Sequence, residues 1–68
     1  MRVVLRHTKT GLFLTANQSW TASLEAALCF RHSADAMDAA RKFNLREVEV
    51  VLDFEEPPHR VSLPLLGA

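Results

Sequence analysis

Two stretches of the chain alternate apolar and polar residues, which is the pattern of a β-strand buried on one face. Residues 2–7 form the first stretch. Residues 47–55 form the longer one, in which apolar side chains alternate with acidic ones except at Val51. Residues 12–15 are predicted to be the return strand of a hairpin with a turn of about four residues. Gly11 lies in that turn, where it is available for a positive φ. Residues 28–32 are expected to form a short extended segment.

A helix is predicted between the hairpin and the long strand. Residues 34–43 carry an apolar stripe at helical spacing, with acidic residues early and basic residues late, as the helix dipole favours. Ser33 is the expected N-cap and Asn44 the expected end of the helix. A single helical turn is expected over residues 23–27. The apolar stripe consists of Ala36, Met37, Ala40 and Phe43.

These elements predict a small α+β domain of the ββαβ type, in which one main helix packs on a three- to four-stranded sheet. The domain is expected to cover residues 1–56, because two consecutive prolines then end the last strand. Residues 57–68 are expected to be an apolar tail containing proline, which either packs along the domain edge or binds another chain. The expected inward-facing residues are Val3, Leu5, Leu12, Leu14, Trp20, Leu24, Phe30, Met37, Ala40, Phe43, Val48, Val50, Leu52 and Phe54.

Composition is typical of one folded domain. The chain has 68 residues, 49% of them hydrophobic, with only two glycines and three prolines. No apolar run approaches the roughly 18–20 residues that cross a bilayer, and the N-terminal apolar run is too short for a signal peptide. A lone cysteine fits a reducing compartment. We therefore expect a cytoplasmic protein without a membrane partner.

The formal net charge is zero, but the charges are unevenly distributed. Residues 1–46 hold seven basic and three acidic side chains, a charge of +4, and residues 47–68 hold one basic and five acidic, a charge of −4. Either the two ends match each other within the domain, or the basic part binds a partner. The outward sets of the first and last strands favour a match, because they read Arg2-Val4-Arg6 and Glu49-Val51-Asp53. We expect these strands to be neighbours, with arginines facing carboxylates and Arg6 paired with Asp53.

The order of these elements resembles a family of very small bacterial proteins of uncharacterised function. The motifs that carry the resemblance are Thr10-Gly11-Leu12-Phe13 in the hairpin, Trp20-Thr21, an alanine at position 26 or 27, Phe30, one helix and Val48-Glu49-Val50. They cover most of residues 3–54. The resemblance implies a compact ββαβ-type domain and no catalytic set.

Four residues invite a chemical interpretation, namely Cys29, His7, His32 and His59. On an extended segment Cys29 and His32 would point to opposite faces, so we expect Cys29 to be a small buried hydrophobe. None of the spacings matches a zinc knuckle, and His7 is expected to bond a backbone group at the core edge. The acidic residues of the last strand are expected to be solvated. We therefore expect no enzyme, no metal, no cofactor and no small-molecule substrate.

The expected function is protein–protein association, as a homodimer or with a larger partner. So small a sheet leaves an edge strand exposed, and the tail adds apolar surface. The residues expected to contribute to the interaction are Arg2, Arg6, Trp20, Val61, Leu63 and Leu65. The alternative is a nucleic-acid-binding domain that uses the basic N-terminal two-thirds of the chain, with an aromatic side chain stacking on a base.

Overall fold

The computed structural model describes residues 1–54 and 59–64, and these form a five-stranded antiparallel sheet with one α-helix. The order of the strands across the sheet is β3-β2-β1-β4-β5. The α+β prediction is therefore confirmed, with one strand more than the three to four expected. The elements are β1 (Arg2–His7), β2 (Phe13–Leu14), β3 (Trp20–Thr21), a 3-10 turn (Leu24–Ala26), α1 (Ser33–Lys42), β4 (Val48–Phe54) and β5 (His59–Pro64).

The strand count differs from the prediction at three places. Residues 20–21 form β3, and residues 59–64 of the expected tail form β5 along the edge of the domain. The segment expected to be extended over residues 28–32 contributes only a bridge between Phe30 and Val3. This segment is hydrogen-bonded to both β2 and β1, because the Leu28 amide donates to the Leu14 carbonyl (2.8 Å) and the Phe30 amide donates to the Val3 carbonyl (2.7 Å).

Helix α1 begins and ends one residue earlier than predicted. His32, in extended conformation, is the N-cap in place of Ser33, and no side chain caps the first turn. At the other end Asn44 adopts a left-handed φ of 56°, and the amides of Asn44 and Leu45 donate to the carbonyls of Arg41 (3.1 Å) and Ala40 (2.8 Å). This is a Schellman ending, in which asparagine tolerates the positive φ. No helix among the described residues is long and apolar enough to span a membrane.

One hydrophobic cluster lies between α1 and the sheet, on the face that we call the helix face. Ala36 and Ala40 are fully or almost fully buried there, and their small side chains allow α1 to lie close to β1 and β4. The buried members are Val3, Leu5, Leu14, Ala36, Ala40, Val48 and Val50. Phe30, Met37, Ala39, Leu45, Leu52 and Leu63 pack around them, half-buried.

A second buried cluster lies on the opposite face of the sheet, which we call the far face. It consists of Val4, Phe13, Ala27 and Val51, with Leu24 packed against it. The expectation of a single buried face is therefore wrong, because the segment around the 3-10 turn covers the centre of the far face. Trp20 was expected in the core, but it is 36% exposed at the sheet edge. Leu12, Phe43 and Phe54 are only half-buried.

The expected pairing of β1 with β4 and the match of their charges are confirmed, but Arg6 lies opposite Glu49 and not opposite the expected Asp53, because the two strands are antiparallel. In the β1–β4 register Arg2 faces Asp53, Arg6 faces Glu49, and the two valines Val4 and Val51 face each other. Both the Nε and Nη2 groups of Arg6 donate to Glu49 Oε1, the first at 2.8 Å. The opposite charges of the two ends of the chain are thus partly compensated within the sheet.

Reversing both charges of this pair is expected to restore stability that either single reversal removes. Arg6→Glu and Glu49→Arg should each lower the free energy of unfolding by about 1 kcal/mol, because like charges then face each other across the strands. The double variant should recover at least half of the summed loss. Urea unfolding of the four proteins at low salt measures this cycle. A double variant as unstable as the sum of the two singles would contradict the pairing.

Candidate interaction surface

Strand β5 is the long free edge of the sheet. It pairs with β4 along one side, and no described strand pairs with its other side. Its first residue is held by a ring contact, because the His59 imidazole stacks on the Phe54 ring with centroids 4.7 Å apart and planes 13° apart. The opposite edge of the sheet, β3, has only two residues. Of the two edges, only β5 is long enough to pair with another strand over several residues.

The register fixes which backbone groups of β5 point outward. Thr8 N–H donates to the Glu47 carbonyl (2.7 Å) in the register of β1 and β4, so the odd-numbered residues of β4 bond to β1. Backbone groups alternate in direction along an antiparallel strand, so the even-numbered residues of β4 bond to β5. These pair with the odd-numbered residues of β5. Arg60, Ser62 and Pro64 therefore direct their backbone groups away from the sheet.

Proline at this edge has a physical reason. A proline lacks the N–H that a ladder requires, so it is found on the outer side of edge strands. Pro64 has its nitrogen on that outer side, and it leaves the bonds to β4 intact. The outer edge therefore offers two amide donors, from Arg60 and Ser62, and the carbonyl oxygens of these residues and of Pro64.

Apolar side chains run across the helix face as far as β5. Helix α1 packs mainly on β1 and β4, and the ends of these rows on β5 are more exposed than their centres. Val61 is 37% exposed and Leu63 is half-buried. The two rows, read across β1, β4 and β5, are Val3–Leu52–Val61 and Leu5–Val50–Leu63.

The side chains of Arg60 and Ser62 in β5 lie on the far face and have partners within the sheet. Arg60 Nε donates to Asp53 Oδ1 at 3.1 Å, and its guanidinium carbon lies 5.9 Å from the centroid of the Phe13 ring. Arg6, which binds Glu49, also donates through Nη2 to Ser62 Oγ at 3.0 Å. The charge of Arg60 is thus matched on its own chain, and a strand that pairs with β5 need not supply a carboxylate.

Three of the six residues predicted to interact lie at this edge. Val61 and Leu63 belong to β5, and Arg6 reaches it through Ser62. Leu65 lies outside the described residues. Sequence reasoning missed the polar members, Arg60 and Ser62, although they alternate with Val61 and Leu63 as a strand requires. The neighbouring prolines pointed to a tail and concealed that alternation.

The other two predicted residues lie elsewhere. Trp20 belongs to β3, at the opposite edge of the sheet, where its ring makes an edge-to-face contact with His7 at 5.3 Å. Arg2 lies opposite Asp53, toward the end of β1 away from the hairpin turn. The structure therefore does not gather the predicted interaction residues into one patch.

Cys29 and His7 differ in how far they follow the prediction. Cys29 was expected to be buried, but it is exposed, because it lies between the two residues whose amides bond to the sheet. His7 has the expected backbone partners, since its Nδ1 accepts from the amides of Lys9 (3.2 Å) and Thr10 (3.3 Å). In residues 1–54 and 59–64 no three His, Cys, Asp or Glu side chains lie close enough together to hold a metal ion.

The basic side chains are spread over different parts of the molecule. Those of Arg6 and Lys9 bind the carboxylates of Glu49 and Glu47, the latter at 3.0 Å. The exposed basic residues Arg41 and Lys42 lie in the last turn of α1, which also exposes the acidic residues Asp35 and Asp38. Basic and acidic residues thus share both the far face of the sheet and the exposed side of the helix.

Comparison of the chain with protein-family models, with curated proteins and with solved structures gave no match. The resemblance to a family of very small bacterial proteins therefore stays a prediction.

Proposed function

We propose that this protein is a non-catalytic association module that binds an extended polypeptide strand along the outer edge of β5. The observation that carries the proposal is the geometry of that edge. Arg60 and Ser62 direct their amides outward, and two apolar rows end there in partly exposed side chains, Val61 and Leu63. Strand addition uses these two features together, since backbone bonds supply affinity and the side chains of alternate residues supply specificity.

The charges of β5 support a protein partner. Arg60 is held by Asp53, and the far face of the sheet alternates basic and acidic residues. A nucleic-acid interface is usually a clearly basic surface. The alternative function, nucleic-acid binding by the basic N-terminal two-thirds, receives no such support, because Arg6 and Lys9 are engaged by carboxylates.

Replacing Ser62 by proline tests the proposal, because it removes an outward amide donor and leaves the bonds from β5 to β4 in place. Ser62→Ala is the matched control, since both variants lose the hydroxyl that Arg6 contacts. Strand addition should weaken about tenfold or more in Ser62→Pro and change little in Ser62→Ala. Circular dichroism and thermal unfolding establish that both variants keep the fold.

Association is measured in two arms, the purified chain with itself and the immobilised chain with proteins of its source cell. The proposal predicts at least one association that Ser62→Ala keeps and Ser62→Pro loses. In that complex, hydrogen exchange should show new protection of the Arg60 and Ser62 amides. If neither arm shows an association that differs between Ser62→Ala and Ser62→Pro, the proposal is contradicted. Retention on DNA or RNA that falls with salt and is equal in the two variants would favour the alternative.

A further inference from the structure

We infer that the strand that binds β5 is β5 of a second copy of this chain. The two strands are antiparallel and are related by a two-fold axis that passes midway between the two Ser62 residues. The inference rests on the proposed function and names its partner. It follows from three properties of the edge described above, namely its length, its charge and its register.

Length and charge favour a second copy. In a head-to-tail assembly β5 would meet β3, which offers only two residues, whereas two copies of β5 centred on Ser62 pair over residues 60–64. A two-fold contact between identical strands also closes, so it ends at a dimer and forms no fibre. The chain carries no formal net charge, and the one charged arginine of β5 is bound to Asp53. Two copies therefore meet without a large electrostatic penalty.

The alternation of β5 restricts the register. The outward residues are even-numbered, so bonded pairs must join even-numbered residues of the two copies. A register centred on Arg60 would bring two arginines together, and like charges directly opposite each other are unfavourable. The register centred on Val61 places the polar His59 opposite the apolar Leu63. The register centred on Ser62 places Val61 of each copy opposite Leu63 of the other, so that both of these pairs are apolar. We therefore infer the Ser62 register.

The Ser62 register satisfies every outward donor. The Ser62 amide of each copy donates to the Ser62 carbonyl of the other, and the Arg60 amide donates to the carbonyl of Pro64. Pro64, which has no N–H, lies opposite the Arg60 carbonyl of the other copy. Both outward amides of each copy therefore have an acceptor. Two donors from each copy give four hydrogen bonds between the copies.

The same register joins the apolar rows of the two copies. Leu63, at the end of one row, meets Val61 of the second copy, at the end of the other row. Each joined row then crosses six strands without a polar residue on the helix face. Its order is Leu5–Val50–Leu63 of one copy followed by Val61–Leu52–Val3 of the other.

Disulfide trapping tests the partner and the register together. Two variants, Val61→Cys and Leu63→Cys, are made in a Cys29→Ser background and oxidised separately and as a mixture. In the Ser62 register, residues 61 and 63 of different copies have Cβ atoms about 5 Å apart, whereas two residues 61 lie diagonally, at about 7–8 Å. The mixture should therefore form the 61–63 disulfide at least about fivefold faster than Val61→Cys alone forms its homodimer. Intact mass separates the species.

Sedimentation of the unsubstituted chain keeps the test independent of how the cysteine variants fold. We expect a concentration-dependent dimer that Ser62→Ala keeps and Ser62→Pro loses. Faster crosslinking of Val61→Cys alone than of the mixture would overturn the register. A monomer at every concentration, with a source-cell protein bound in a manner sensitive to Ser62→Pro, would overturn the second copy and leave the proposed function standing. A monomer with no such protein would overturn both.

Discussion

Replacement of Leu5 by alanine is expected to leave most of the chain unfolded at 25 °C. Leu5 is fully buried at the centre of the helix face, in the middle strand of the sheet, opposite Val50. Truncating such a side chain costs about 2–5 kcal/mol, which combines lost burial with the cavity that remains. A domain of this size has a stability of only about 3–5 kcal/mol from its core. The loss therefore takes all or most of what holds the native state.

Urea unfolding followed by far-ultraviolet circular dichroism measures this loss. Leu12→Ala is the control, because Leu12 lies just before β2 and is only half-buried. We expect the control to remain folded, with a loss of roughly half that of Leu5→Ala or less. Equal losses in the two variants would show that the middle strand does not carry the core in the way described above.

Val51→Asn is expected to destabilise the domain by about 2–4 kcal/mol, because it places an amide without a partner in a buried site and removes apolar contacts. Val51 is fully buried on the far face, opposite Val4 and beneath the segment that contains Ala27. The experiment tests whether the far face is a second core. In a sheet buried only on the helix face, Val51 would lie in solvent and the change would matter little.

Val61→Asn is the matched control for that experiment. It makes the same substitution in a strand of the same sheet, at a position where the side chain is exposed. Val61 is 37% exposed, so we expect a loss below about 1 kcal/mol at a protein concentration at which the chain is monomeric. The difference between the two variants in thermal or urea unfolding is the contribution of burial on the far face. No difference would mean that the far-face cluster adds nothing to stability.

The sequence was sufficient to predict the features that depend on neighbouring residues or on opposite charges. The two-residue period located β1 and β4, and the charge pattern of Arg2-Val4-Arg6 against Glu49-Val51-Asp53 indicated that they pair with Val4 opposite Val51. The charge pattern did not give the strand direction, and the antiparallel pairing places Arg6 opposite Glu49 in place of the expected Asp53. Asn44 was expected to end the helix, and it does so by adopting a positive φ. The two-residue period and the helix-ending asparagine depend on neighbouring residues, and the strand pairing is indicated by side chains of opposite charge.

Features that depend on a distant segment could not be predicted. Val51 interrupts an otherwise regular alternation, and only the 3-10 turn and Ala27, placed over the far face, explain why a valine is there. Trp20 is large and apolar, which favours a core position, but its strand lies at the edge of the sheet, where its ring contacts the His7 ring. In each case burial is decided by which segment covers the face, and a single strand does not contain that information.

The candidate interaction surface was only partly foreseen for the same reason. Val61 and Leu63 were expected to interact because their surroundings are apolar. Which of their neighbours point outward follows only from the register, since one bond between Thr8 and Glu47 fixes the direction of every backbone group out to β5. From the sequence alone, the apolar residues near the edge can be recognised. Which backbone amides and carbonyls point outward cannot be predicted without the strand register.

The central place of β1 in the sheet has a consequence during synthesis on the ribosome. The partner strand of β1 comes late in the chain, and the bond between Arg6 and Glu49 spans 43 positions. The early hairpin cannot persist alone in water, because two-stranded hairpins are at best marginally stable. The backbone groups of β1 that pair with β4 therefore bond to water until β4 has left the exit tunnel. Folding is then a late, nearly simultaneous event, and slowed translation of the first half offers it no advantage.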